Sequence, residues 1–340
     1  MLFPLALQHR KSALAANFRT LRNRADTATG AAIKANAYGL GVQEVARALL
    51  EEGCRDFFVS TWCEAAELHF LPTETLAVLH GLGFGDQPRP GVRPVLVTPG
   101  QVARWKASSW SSEPCDVMVD TGMNRLGLVP SELECLEGLS IHTLHSHLAC
   151  ADEEDHPLNA AQLALFRDIR AAVPARRYSL ANSAGIYRGR EYSFDLVRPG
   201  LALYGGIPCT KARGFLKQVT SVWARVIQVR HVPAGDSVGY SATFRAERDT
   251  QVAVINIGYA DGYRRAFSSL GTARFDGKTL PVIGRVSMDL VTLDASSVPA
   301  IQEGEWVELD FDLERCSTLT GISQYELLTG LGQRFQSTWT

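Results

Sequence analysis

The stretch AAIKANAYGLG, residues 31–41, decides how the chain is read. It opens as a run of small apolar residues, carries Lys34 inside that run, and breaks into a loop at Asn36, Tyr38, Gly39 and Gly41. Val42, Val45, Ala46, Leu49 and Leu50 then recur at helical spacing as far as Gly53, a C-terminal cap. Strand, loop and helix in that order make half of a parallel crossover unit. The pattern repeats along the chain in the runs DFFVST (56–61), LAVLHG (76–81), RPVLVT (93–98), DVMVD (116–120), IHTLHSHL (141–148), YSLANS (178–183) and LVRPGLALY (196–204). Leu165, Phe166, Ile169 and Val173 mark a further helix before Pro174. Eight such runs predict an α/β fold, and the count favours a closed (β/α)8 TIM-like barrel over a doubly wound open sheet with the same local pattern.

Beyond about Lys217 the period changes. VTSVWARVIQVRHV, PAGDSV, QVAVINIGYADG, FDGKTLPVIGRVSMDLVTLD and EGEWVELDFD read as short alternating strands between turn signals, a mostly antiparallel β domain. The expected division is a barrel over residues 10–219 and a β domain over 220–340, joined by residues 1–9. A last helix is expected over Ser323 to Leu331.

Composition narrows the functional class. The 340 residues are 46% hydrophobic and 21% charged, with 34 basic against 36 acidic side chains and a formal charge of −2. Such a chain can bury a large core, and the balance argues against disorder and against a nucleic-acid partner. No window approaches the roughly eighteen uninterrupted apolar residues of a membrane span, and the first residues lack a signal-peptide pattern, so a cytoplasmic location is expected. The cysteines at 54, 63, 115, 135, 150, 209 and 316 are odd in number and scattered. They suggest reduced thiols rather than disulfides, and no metal site is expected from them or from His142, His145 and His147.

In a barrel, chemistry collects where strands end and loops begin. Lys34 stands at such a place. A lysine shielded by apolar neighbours has a depressed pKa, and its neutral amine can attack a carbonyl to form a Schiff base.

At this point the sequence resembles a known family. IKANAYGLG is similar to the pyridoxal-phosphate lysine motif of the alanine racemase family, and the similarity continues through VDTGMNRLG (119–127), SHLACAD (146–152), ANSAGIY (181–187), VRPGLALYGG (197–206), VGYSATF (238–244), GYADGYRR (258–265) and GRVSMDL (284–290). These motifs follow the family's order across both halves.

The resemblance implies a pyridoxal 5'-phosphate enzyme that interconverts L- and D-alanine by two bases and supplies D-alanine for peptidoglycan. Lys34 would hold the cofactor and serve as one base, with Tyr240 as the other on the opposite face of the substrate Cα. Unperturbed lysine and tyrosine titrate near about 10.4 and 10, so both need tuning downward. Arg198 would face the pyridine nitrogen, where a guanidinium can donate a hydrogen bond but does not give up a proton. His147 would sit between Arg198 and Tyr240. Tyr38, Ser183 and the backbone N–H groups of Gly200 and Leu201 would hold the phosphate, Arg125 the substrate carboxylate, and Met288 and Asp289 would close a pocket for a small side chain. The family implies a head-to-tail homodimer in which Tyr240, Met288 and Asp289 reach the lysine of the other copy.

Some positions depart from the family pattern: Leu40 for a histidine, Met118 for a lysine that becomes carbamylated, Gln333 for an entrance tyrosine, and Arg10 and Ser12 for acidic residues. A wider entrance keeps a broader racemase, acting for example on serine, as the alternative. A decarboxylase of the same architecture is disfavoured by Arg198, and a non-catalytic cofactor carrier by the second domain.

Overall fold

A computed structural model describes residues 4–340. The chain divides into two compact units, Ala13–Lys217 and Met1–Ser12 with Gln218–Thr340.

In the first unit, seven parallel strands lie side by side in chain order: Ala31–Ala32, Phe57–Val59, Leu76–Val78, Val92–Leu96, Cys115–Met118, Ile141–His145 and Arg177–Ser179. An eighth, Leu196–Val197, pairs in parallel with Ala28–Thr29, immediately before the first of them. Asp195 N–H to Tyr178 O at 3.0 Å and Arg198 N–H to Ala181 O at 2.9 Å tie it to the seventh. The ring is thereby closed, a (β/α)8 barrel, with Phe58, Ala77, Val95, Val97, Met118 and Leu196 packed in one buried cluster.

Helices follow where the apolar period changed. Val42–Glu51 buries Val42, Val45, Ala46, Ala48 and Leu49, and Pro157–Ala172 buries Leu163, Phe166 and Ile169. Thr61 and Thr98 cap the helices Trp62–Ala66 and Pro99–Ala107 by accepting backbone N–H groups, which satisfies donors that a helix start leaves unpaired.

The strands are shorter than their apolar runs. The first ends at Ala32, so Lys34 does not lie inside a strand. Lys34–Tyr38 instead forms a turn in which Ala35, Asn36, Ala37 and Tyr38 all have φ between 52° and 57°. A left-handed conformation costs an L-residue about 1–2 kcal/mol, so four in succession must be held by further contacts. Asn36 Oδ1 accepts the Val42 N–H at 2.8 Å, and Glu64 Oε1 accepts the Ala35 N–H at 2.8 Å. The sixth strand likewise stops at His145, leaving His147 in the loop beyond, and the run at 196–204 is a two-residue strand followed by a 3-10 turn at Leu201–Tyr204. In each run the polar residue lies past the last ladder pair.

In the second unit, the long strand Thr220–Val232 organises an eight-stranded sheet. It pairs antiparallel with Leu5–His9, Trp306–Leu309 and Thr250–Ile255, and its pairing with the last shifts between Val226 and Gln228. Thr272–Phe275 and Lys278–Pro281 form a hairpin around Asp276 and Gly277, both with positive φ. The expected last helix is Gln324–Thr329, capped by Ser323, and a helix at Leu313–Thr320 precedes it. Gln336–Trp339 pairs in parallel with Leu5–His9.

Candidate active site

Lys34 is half-buried just past the first strand. Its pKa is lowered by burial and then by the charge of Arg125, against an opposing pull from Glu64. Glu64 went unrecognised in the sequence, although Thr61 and Glu64 have the spacing of a capping box. Its Oε2 accepts the Ser60 and Thr61 N–H groups at 2.6 and 3.2 Å while Oε1 holds Ala35. One carboxylate therefore caps the second loop's helix and braces the turn that carries the lysine.

His147 is coupled electrostatically to the same group of cations. Burial, then Arg198, Arg125 and Lys34, push its pKa down to about 3, so it is a neutral imidazole at physiological pH. Its Nε2 lies 3.5 Å from Asn182 Nδ2, and Gln162 Nε2 donates to its carbonyl at 2.9 Å. Arg198 is buried. One of its terminal nitrogens donates to Ser179 Oγ and the other to Ser146 O at 2.6 Å. Burial lowers its pKa to about 10, with Asp116 opposing, so it keeps its charge near neutrality. Ser146, Ser179 and Asn182 are the fixed partners here; the sequence held no cue to them beyond the places of Ser146 and Asn182 in the recognised motifs and of Ser179 in the run 178–183.

Gly200, Ser183 and Tyr38 converge on one spot. Ser183 Oγ accepts the N–H groups of Gly200 and Ala202 at 3.0 and 3.2 Å, the Gly200 and Ala202 amides being the observed pair. A Cβ on Gly200 would stand 2.2 Å from the Tyr38 hydroxyl oxygen, and the glycine's φ of −127° lies outside the left-handed region. Close approach, not backbone freedom, is what requires glycine there. Tyr38 also packs on Tyr204 with ring centroids 4.8 Å apart, and Leu201 begins the turn that follows. Clustered backbone donors, a serine hydroxyl and a phenol suit a phosphate.

Arg125 is exposed on the loop after the fifth strand, and Met118 is buried in that strand. One layer further in, Asp116 is fully buried. Burial alone would raise its pKa, but Arg93 at 3.0 Å, His142 and His145 hold it well below the ordinary carboxylate range. Arg177 grips Asp56 beside it. This charged network inside the barrel was not foreseen, since each member alone reads as an ordinary strand residue.

The buried imidazoles carry a consequence for stability. The pKa values of His9 and His145 are lowered to about 4 and that of His147 to about 3, chiefly by burial. Between pH 6.5 and 4 the unfolded chain binds protons that the folded one refuses, so stability falls as pH falls through that window. The urea midpoint is expected to drop steadily from pH 6.5 to 4; a flat midpoint would contradict the burial of these rings.

In the second unit, Tyr240 is 69% exposed and Met288 54%. Tyr240 begins a short turn in which Ser241 and Ala242 have positive φ, and Arg285 donates to Ser241 Oγ at 3.1 Å. Asp289 follows Met288 and accepts from Arg334 at 2.7 Å. Gln333 precedes that arginine in the last loop. Among the described residues Cys150, Glu153 and His156 bring one donor atom each within 4.8 Å of one another, a grouping no spacing rule suggested. His156 Nδ1 there accepts the Leu158 N–H at 3.2 Å, capping the helix Pro157–Ala172.

A closed parallel barrel with a lysine at its loop end and an antiparallel β unit on the same chain defines the class of protein. Residues 10–208 match the alanine racemase N-terminal domain model and residues 219–339 the alanine racemase C-terminal domain model. The chain belongs to the alanine racemase family. A catabolic alanine racemase of Agrobacterium fabrum is 41% identical over 96% of this chain and 90% of its own, and the biosynthetic one of that organism is 37% identical over 98% and 93%. The crystal structure of alanine racemase from Bartonella henselae with covalently bound pyridoxal phosphate superposes with a TM-score of 0.91 at 38% identity, covering 99% of both chains.

Proposed function

We propose that this protein is a pyridoxal-phosphate-dependent alanine racemase. The observation that carries the reading is the convergence of a depressed lysine, a buried arginine and a glycine–serine–tyrosine cradle at one end of a barrel, in a chain whose relatives are alanine racemases. Those residues fit the cofactor. Ser183, Tyr38 and the backbone at Gly200 and Leu201 would hold its phosphate, Arg198 its ring nitrogen and Lys34 its carbonyl carbon. When bound, the group supplies an electron sink for the substrate Cα.

The protein's part is to bind, orient and move protons. Lys34, whose pKa burial and Arg125 lower, would take or return a proton at Cα. Tyr240 is the proposed second base, on the opposite face. Two bases are needed because a planar carbon protonated only from the side it left returns the original isomer. Arg198 stays positive and can only donate, which limits how far charge spreads into the ring and disfavours reactions that need a protonated nitrogen. Arg125 would pair with the substrate carboxylate, a task suited to its planar fork.

The proposed assembly is a homodimer in which Tyr240, Met288 and Asp289 of one copy face Lys34 of the other. The wide exposure of Tyr240 and Met288 supports this, since it leaves both side chains open to a partner. Among the described residues no helix is long and apolar enough to cross a membrane, and the seven cysteines are free thiols. A cytoplasmic role in D-alanine supply accords with those features.

The test is deuterium incorporation at Cα over a panel of L-amino acids with the cofactor added, read together with formation of the D-isomer. Exchange and inversion confined to alanine would support the reading; equal turnover of serine would favour a broader racemase; no exchange with any amino acid would overturn it. The cradle has its own test. Gly200→Ala forces a Cβ against Tyr38, and overpacking of this kind costs about 1–3 kcal/mol. Cofactor affinity, followed by absorbance on titration of the apoprotein, is expected to fall about 10- to 100-fold.

A further inference from the structure

Met288 and Asp289 are proposed to close the substrate pocket, and the structure contains a device that holds them. Three segments distant in sequence are interlocked. Tyr259 and Ala260 donate N–H groups to Ser287 O and Met288 O, each at 3.0 Å, and a Cβ on Gly258 would lie 2.2 Å from Met288 O. The Gly332 N–H donates to Asp261 O at 3.0 Å, and a Cβ on Gly262, whose φ is +98°, would lie 2.3 Å from Gly330 O. GYADG, SMDL and GLGQR thus meet backbone to backbone with no room for side chains between them.

Arg334 crosses this junction. Its Nε and Nη2 grip both oxygens of Asp261, at 2.6 and 2.8 Å, while Nη1 reaches Asp289 Oδ1 at 2.7 Å. The two ends differ in kind. Asp261 is fully buried, and its Oδ2 also accepts the Gly258 N–H at 3.0 Å, so that end is an anchor. Asp289 is 53% exposed, and a half-exposed ion pair adds little to folding stability. What the third bond does is fix a direction: it sets the carboxylate beside Met288 and neutralises its charge. Only a planar fork can grip one carboxylate with two nitrogens and reach another with a third.

We propose that Arg334 is a positioning residue for the substrate pocket, holding the Met288–Asp289 turn so that the mouth admits a small amino acid. The inference rests on the racemase reading for its substrate and on the structure alone for the contact. A freed Asp289 swings, its charge is uncompensated near a substrate that is itself charged, and the small pocket loosens.

The experiment uses the holoenzyme with Arg334→Gln, Arg334→Lys, Asp289→Asn and the Arg334→Gln/Asp289→Asn pair. For Arg334→Gln, the alanine KM is expected to rise about fivefold with kcat within a factor of about two, the scale a half-exposed charge pair can supply. The ratio of alanine to serine turnover narrows. In the Asp289→Asn background the same substitution leaves KM unchanged. Arg334→Lys retains the charge but not the fork, and its KM falls between wild type and Arg334→Gln. Amide hydrogen exchange at residues 287–290 quickens in Arg334→Gln while that of Thr250–Ile255 does not. An unaltered KM in folded Arg334→Gln, or the same KM rise with and without Asp289, would overturn the proposal and leave Arg334 as a brace for Asp261. A wild-type protein that fails to racemise alanine defeats the functional reading instead; the exchange measurement still decides whether Arg334 tethers the turn.

Discussion

Lys34→Ala is expected to abolish both covalent capture of the cofactor and racemisation, with turnover reduced by about 10⁴-fold or more. General acid–base catalysis by one positioned group contributes about 10²–10⁴, and this lysine is also the proposed anchor. Borohydride reduction of the reconstituted protein followed by peptide mapping should label Lys34 in the wild type and nothing in the variant. The burial and neighbouring Arg125 charge that depress its pKa favour this amine as the proposed nucleophile. Labelling at a different lysine in the folded wild type would remove Lys34 from the chemistry.

Tyr240→Phe is expected to cost about 10²–10⁴ in racemisation while leaving the cofactor bound. The two-base arrangement gives a sharper signature than the loss itself. With Lys34 intact, one enantiomer can still exchange its Cα hydrogen with solvent on the face the lysine serves. In heavy water, deuterium should appear in unconverted substrate of that enantiomer while inversion collapses. Inversion at the wild-type rate would exclude Tyr240. The pair of variants also tests the shared site. If Tyr240 serves the Lys34 of another copy, mixing Lys34→Ala with Tyr240→Phe restores one intact site in each mixed dimer, about a quarter of wild-type activity at random assembly. If both residues come from one copy, mixing restores none.

Much of the barrel was legible because each strand buries a continuous apolar run and each helix shows its own period. The ends of the strands were not. IKANAY reads as an extended run until the four left-handed residues are seen, and nothing in alanine's chemistry announces a positive φ; that conformation is held by the Asn36 side chain reaching forward to Val42 and by Glu64 from outside the turn. The charged interior around Asp116 was invisible for a related reason. Arg93, Asp116 and His145 lie on three neighbouring strands, and only the pairing and register of those strands set them against one another. Lys34 drew attention as a charge inside an apolar run, whereas His147, Ser183 and Arg198 became candidates because their motifs resemble a family. Arg334 was passed over although it stands next to Gln333, which drew attention only as a departure from that pattern.

The sheet built on Thr220–Val232 includes Leu5–His9, whose His9 meets Thr220 across 211 residues of chain, and Leu5–His9 is in turn flanked by Gln336–Trp339. During vectorial synthesis, therefore, Leu5–His9 leaves the ribosome long before its neighbours exist. The intervening residues 13–217 make their contacts chiefly among themselves and can condense meanwhile. The nascent amino-terminal strand must wait with its apolar face uncovered until translation reaches the distal segment, an interval in which chaperone capture has its best opportunity.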